Sequence, residues 1–204
     1  MNYTTLERVK TELGTAQATD DALLSLLIEG ASRAFDRKCT GVMDAVDYFK
    51  LETVTGEIGA GQVDYMGRAI LCYPKKPIIT SITSFAFQEN ITTQAFTVDA
   101  ARIEVDGPRV KAYPQTVPVE FPSRCRVTMT YTGGLAASGS ALPADLQEMI
   151  TLLTIRFYRE AETGLNDAMG VAELAQMVYT KVWPIRVTEQ MQPYVRRVGW
   201  RNVA

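Results

Sequence analysis

The hydrophobic period of this 204-residue chain changes twice. Up to about residue 41 the apolar residues recur every three or four positions. From about Val42 to Thr132 no such stripe survives, and short β-branched and aromatic runs alternate with Gly, Pro and Asp. From Pro143 the helical spacing returns. A period of about 3.6 belongs to helices and a period of about 2 to strands. The expected fold is therefore α+β: a helical bundle (two N-terminal helices plus C-terminal helices) with an inserted antiparallel β region. In domain terms, 1–41 and 140–204 form a helical core with a C-terminal tail, and 42–139 form the inserted β region.

The helix boundaries carry chemical signals. Thr4-Thr5-Leu6-Glu7 reads as a capping box, with the Thr4 oxygen accepting the Glu7 amide. Leu6, Val9 and Leu13 then share one stripe, and Gly14 supplies the stop. Thr19-Asp20-Asp21 opens a second helix with acids at its positive end. Its stripe runs through Leu23, Leu24, Leu27, Ile28, Ala31, Ala34 and Phe35 to Gly41, wide enough to pack on more than one neighbour. Pro143 starts a third helix, with Leu146, Met149, Ile150, Leu153, Phe157 and Tyr158 on its apolar face and an end between Arg159 and Gly164. Residues 165–182 are ambiguous between loop and one further helical stretch from Val171 to Val182. Trp183-Pro184 breaks any such stretch, and Thr188-Glu189 is the expected start of a last helix reaching about Arg197.

In the middle region, strands are expected at Ala69–Tyr73, Ile78–Phe87, Ala95–Val98, Arg102–Val105, Arg109–Ala112 and Arg126–Tyr131. Val105-Asp106-Gly107-Pro108-Arg109 reads as a tight turn between two of them. Gly56-Glu57-Ile58-Gly59-Ala60-Gly61 is glycine-rich but lacks the G-x-G-x-x-G order and a following helix, so it reads as a mobile loop tip. Residues 42–66 as a whole read as a loop that reaches a neighbour.

Composition removes several chemistries. The chain has no histidine, which excludes Ser-His-Asp and Cys-His catalysis, His-ligated zinc and an imidazole proton shuttle. Cys39, Cys72 and Cys125 lie far apart, with no metal-ligand or redox spacing. The opening residues lack an apolar stretch of the signal-peptide kind, so a reducing compartment is expected. No apolar run approaches the ~20 residues of a membrane span. There is no Gly-Lys-Ser/Thr phosphate loop. The carboxylate pairs Asp44/Asp47 and Glu160/Glu162 sit in no calcium-loop pattern. The sequons at Asn2-Tyr3-Thr4 and Asn90-Ile91-Thr92 read as chance. No catalytic, cofactor-binding or metal residue is assigned, and no enzyme activity or cofactor is expected.

Charge is the informative quantity. The net charge of -2 hides a segment 181–204 at +4 against a remainder at -6. The basic segment is also aromatic. Trp183, Arg186, Tyr194, Arg196, Arg197, Trp200 and Arg201 form its candidate docking set. Arginine and tryptophan are enriched at protein–protein hot spots, and also suit phosphate contact and base stacking. No zinc finger, RRM motif or helix-turn-helix accompanies them, so partner docking accounts for the composition better than nucleic acid.

Three segments together resemble the head–tail adaptor (head–tail connector) proteins of long-tailed bacteriophages. The first is Thr5-Leu6-Glu7-Arg8-Val9-Lys10-Thr11-Glu12-Leu13 with Asp20-Asp21-Ala22-Leu23-Leu24 and Ala31-Ser32-Arg33-Ala34-Phe35-Asp36. The second is Leu71-Cys72-Tyr73-Pro74-Lys75-Lys76-Pro77-Ile78-Ile79-Thr80-Ser81-Ile82-Thr83-Ser84. The third is Val127-Thr128-Met129-Thr130-Tyr131-Thr132-Gly133-Gly134, then Leu142-Pro143-Ala144-Asp145-Leu146 and Arg156-Phe157-Tyr158-Arg159. Residues 42–66 and 165–187 align with nothing in that family. The resemblance implies a virion structural protein, assembled in the host bacterial cytoplasm, that forms a homo-oligomeric ring, usually a dodecamer, beneath the portal protein. It implies that the ring extends the DNA channel and meets a stopper or tail-completion protein, and that DNA passes without sequence-specific binding. The alternatives are a stopper or tail-completion ring protein, or a nucleic-acid-binding protein using the basic tail. A cyclic ring needs two different faces per subunit, and a net-acidic wall would repel the phosphate backbone and let DNA slide.

Overall fold

Two left-handed glycines set the ends of the first two helices. In the computed structural model, α1 (Leu6–Leu13) closes on Gly14 at φ 71° and α2 (Asp21–Thr40) closes on Gly41 at φ 70°. Glycine takes this conformation without the Cβ clash that other residues suffer. The residues described are 1–15, 17–43, 45, 47–64, 69–89, 94–115, 124–163, 168–171, 176–179 and 183–195. After α2 come β1 (Glu52–Val63), β2 (Ile70–Cys72), β3 (Ile79–Gln88), β4 (Phe96–Val98), β5 (Ile103–Asp106), β6 (Arg109–Ala112) and β7 (Arg124–Gly133). The chain continues through α3 (Ala144–Thr163), β8 (Ala168–Val171), β9 (Gln176–Tyr179) and α4 (Ile185–Gln190).

The expected architecture, a helical bundle carrying an inserted β region, is overturned. β1 to β7 form one seven-stranded antiparallel sheet, in the order β4-β3-β7-β1-β2-β6-β5, curled until it is nearly closed and barrel-like, and the described residues also hold four α-helices. The physical reason is that this sheet closes a core of its own. Ile70, Cys72, Phe85, Phe87, Val110, Ala112, Val127, Met129 and Tyr131 are buried in one cluster. A sheet that buries its inner face on itself is a body in its own right, needing no bundle as a base.

The chain divides into two compact units, Met1–Asp47 with Ser138–Val195, and Tyr48–Ala137. In the second unit β7 is central, pairing with β3 on one side and β1 on the other. β1 is the segment that sequence reasoning took for a mobile loop tip. Its glycines have separate reasons. Gly56, at φ 64°, sits in a register shift between Val54 and Glu57. Gly61 lies between Cys72 and Cys125 in the ladder, where a Cβ would come within 2.5 Å of Val127 Cγ2 and 2.7 Å of Cys125 Sγ. Close approach of neighbouring side chains, not mobility, explains that glycine.

In the first unit α3 packs against α1, α2 and α4. Val9, Leu24, Ile28, Ile155 and Tyr158 make its apolar cluster. Three local expectations change here. Thr5, not Thr4, caps α1 by accepting the Arg8 amide at 3.3 Å, while Thr4 is buried and shares a 2.7 Å hydroxyl contact with Thr151. α4 starts at Ile185, directly after Pro184, and is followed by a single 3-10 turn, Gln192–Tyr194, instead of a helix from Thr188 to Arg197. β8 and β9 pair as an antiparallel hairpin, so no helix from Val171 to Val182 forms across those strands. Gly170 is a poor helix former, and the β-branched Val171 and Val178 and the aromatic Tyr179 favour strand over helix.

Candidate functional site

The candidate docking set falls in two groups. Arg196, Arg197, Trp200 and Arg201 lie outside the described residues. Trp183, Arg186 and Tyr194 are described, and each has a partner within the helical unit. The Trp183 ring lies 6.3 Å from that of Phe35, tilted by 41°. Arg186 pairs with Glu148 at 2.6 Å but stays 63% exposed. Tyr194 donates to Asp145 at 2.6 Å, and burial, followed by that carboxylate, pushes its phenol well above the ordinary range. Between them Val187 and Met191, one helical turn apart, are fully covered. These two anchors were missed in the sequence, although their i, i+4 spacing ahead of the basic cluster is the expected signal. Residues 183–195 thus seat on the helical unit through one apolar face and three polar or aromatic contacts.

A second surface lies on α2, the helix whose wide stripe calls for more than one neighbour; Leu26 is the residue of it that the stripe did not include. α2 buries Leu24, Ile28, Ala31 and Phe35, yet Leu23 is 38% and Leu26 is 65% exposed. Ile185, at the start of α4, is 60% exposed. Leu26 belongs to a separate set, Leu23, Leu26, Gly30, Arg33 and Arg37, at alternating spacings of three and four. Such spacing puts all five on one face of α2, apolar at Leu23 and Leu26 and basic at Arg33 and Arg37.

Among the described residues, buried polar groups bind one another and the backbone. In the sheet unit Glu57 accepts from the Tyr131 hydroxyl at 2.6 Å and from the Lys75 amide at 2.9 Å. The Lys76 amide donates to the Tyr131 oxygen at 3.2 Å. The buried Lys76 ammonium reaches Glu52 at 2.7 Å and the Lys50 carbonyl at 3.2 Å. These contacts fix the Lys75-Lys76-Pro77 turn. In the helical unit the Tyr3 hydroxyl donates to the buried Asp36 carboxylate at 2.5 Å. All three cysteines are buried and reduced, and burial raises each thiol, Cys125 to about 11. Among the described residues no group of three or more Cys, Asp or Glu side chains is placed to hold a metal ion, and no helix is long and apolar enough to cross a membrane. A groove of about 630 Å³ along β4 is lined by Phe87, Phe96, Val98, Asp99 and Arg102.

No family model matches the chain, and no curated protein matches it. Solved structures do. The chain is similar to one from the neck of an empty gene transfer agent (GTA) particle computed with C6 symmetry. That likeness has a TM-score of 0.53 at 20% identity, over 98% of this chain and 93% of the other. A chain from the virion of the native particle matches at a TM-score of 0.49 and 17% identity, over 97% and 93%. The class defined here is a fold: a curled antiparallel sheet unit and a helical unit in one chain. It is the fold of that neck chain, followed almost from end to end.

Proposed function

We propose that this protein is a structural component of the neck of a phage-like particle. In the finer reading it is a head–tail adaptor, forming a cyclic ring beneath the portal that extends the DNA channel and joins capsid to tail. The observation that carries this reading is the agreement of fold with a chain from a neck of sixfold symmetry over nearly the whole length of both chains. The resemblance read from three sequence segments points to the same place. The chemistry agrees with a role made of contacts: the buried carboxylates are held by hydroxyl and amide donors.

In this reading the basic C-terminal segment docks to the portal protein, using Arg196, Arg197, Trp200 and Arg201 together with Trp183, Arg186 and Tyr194. The segment's charge of +4 against -6 elsewhere supports a partner of opposite sign. A stopper or tail-completion protein would meet the other face of the ring. The test is truncation after Val195, which keeps Val187 and Met191 in place. The expected result is a loss of portal binding of tenfold or more, and undiminished binding would overturn the docking role.

A further inference from the structure

We propose that α2 and α4 are the two halves of the contact between successive copies of this chain, with Leu23, Leu26 and Arg37 of one copy packing on Ile185 and Glu189 of the next. The inference rests on the ring reading above and names the surfaces that close it.

The placement of the helices makes two different faces available. α3 is buried along Leu146, Met149, Ile150, Leu153, Thr154 and Ile155. Both α2 and α4 pack on it, so each has one face inward and one outward. The outward seam of α2 is apolar at its start and basic at its end. Leu23 and Leu26 are followed by Gly30, Arg33 and Arg37. Arg33 pairs with Glu29 on its own helix. Arg37 has no ion-pair partner among the described residues. At Gly30 an added Cβ would meet nothing within 4 Å, which leaves an open notch one turn beyond Leu26. The outward face of α4 repeats the order with the opposite sign. Ile185 is exposed and apolar, and Glu189, one turn on, is exposed without an ion-pair partner among the described residues.

Charge and shape then decide between pairings. Two α2 seams packed in parallel would set Arg37 against Arg37. Packed antiparallel about Gly30, they would set Arg33 and Arg37 against Leu26 and Leu23. Both isologous arrangements bury charge against charge or charge against hydrocarbon, which is costly. α2 against α4 matches apolar with apolar, Ile185 to the Leu26–Gly30 notch, and basic with acidic: at a rise of about 1.5 Å per residue Glu189 comes level with Arg33, which is already paired with Glu29, and within side-chain reach of Arg37 one turn on. A contact between two different faces is heterologous, the kind that generates a ring.

The test uses engineered thiols in the portal-bound protein. The three native cysteines are buried, so surface thiols react selectively. On mild oxidation, an equal mixture of L26C and I185C is expected to give covalent dimers, and either variant alone is expected to give none. The double variant L26C/I185C is expected to give a ladder of higher multimers. The charge arm reads the same contact: R37E or E189R alone is expected to weaken assembly at least tenfold, and the pair together to restore it to within about twofold. Dimers from L26C alone would overturn the proposal in favour of an isologous contact. A portal complex with no mixed cross-link would overturn the proposal and leave the neck reading standing. Absence of any portal complex would overturn both.

Discussion

The Tyr131 hydroxyl donates to the Glu57 carboxylate at 2.6 Å, joining β7 to β1 inside the sheet unit. The same oxygen accepts the Lys76 amide at 3.2 Å. Burial raises the Tyr131 phenol, and Glu57 raises it further, so it stays protonated and keeps its donor role. Tyr131→Phe removes this donor from a buried carboxylate and an acceptor from a buried amide. Hydrogen bonds to charged groups contribute roughly 1.5–3 kcal/mol, so a loss of about 2 kcal/mol is expected in urea unfolding. A change below about 0.5 kcal/mol, the scale of a surface substitution, would show that the network is not structural.

Gly61 and Gly59 make a matched pair on β1. A Cβ at Gly61 meets Val127 and Cys125 inside contact distance, whereas one at Gly59 meets nothing within 4 Å. Gly61→Ala is expected to cost about 1–3 kcal/mol through overpacking. Gly59→Ala is expected to stay within about 0.5 kcal/mol of the parent. Equal effects in thermal or urea unfolding would contradict the placement of Gly61 over the core.

This contrast also shows what was legible in the chain. Gly14 and Gly41 follow helical stripes, and a local pattern sufficed to place both helix ends. Gly56, Gly59 and Gly61 look alike in sequence, and only their lateral partners on β7 and β2 separate a bulge, an open site and a close contact. Strand pairing is a long-range property, so β1 was lost and the weight of the sheet misjudged. The hairpin β8–β9 escaped for the same reason. Val127, Met129 and Tyr131 alternated plainly and do share the buried face. The candidate site was legible only in part. Trp183, Arg186 and Tyr194 were picked out, but their partners Phe35, Glu148 and Asp145 lie 148, 38 and 49 residues away in sequence. Leu26 was hidden because its neighbours Leu24, Leu27 and Ile28 already complete an inward stripe.

The Lys76 hydrogen bond, opposed by some desolvation and aided by the Lys76 charge, holds the Glu52 carboxyl below its usual range. A folded-state value below the unfolded one stabilises the protein above the unfolded value of about 4.3. That contribution is lost as pH falls through the folded-state value. Glu52 is 39% exposed, so solvent screening limits the effect to about 1 kcal/mol or less. Glu52→Gln is expected to be less stable than the parent near neutral pH and to converge with it in acid. Urea unfolding at both pH values checks this, and a gap that widened in acid would reverse the sign.

Cys39, Cys72 and Cys125 are buried, and burial raises all three thiols. A thiol-selective reagent at mildly alkaline pH is therefore expected to leave the native protein unlabelled on the minutes scale and to modify all three cysteines in denaturant. Rapid labelling of Cys72 or Cys125 in the native state would show that the sheet unit opens.

The role proposed for this chain is that of a ring in a particle neck. Electron microscopy of the purified protein mixed with the portal protein of the same particle tests it most directly. The expected result is a closed ring of cyclic symmetry, coaxial with the portal and continuing its channel. A portal that remains bare, or carries single copies without a ring, would contradict it.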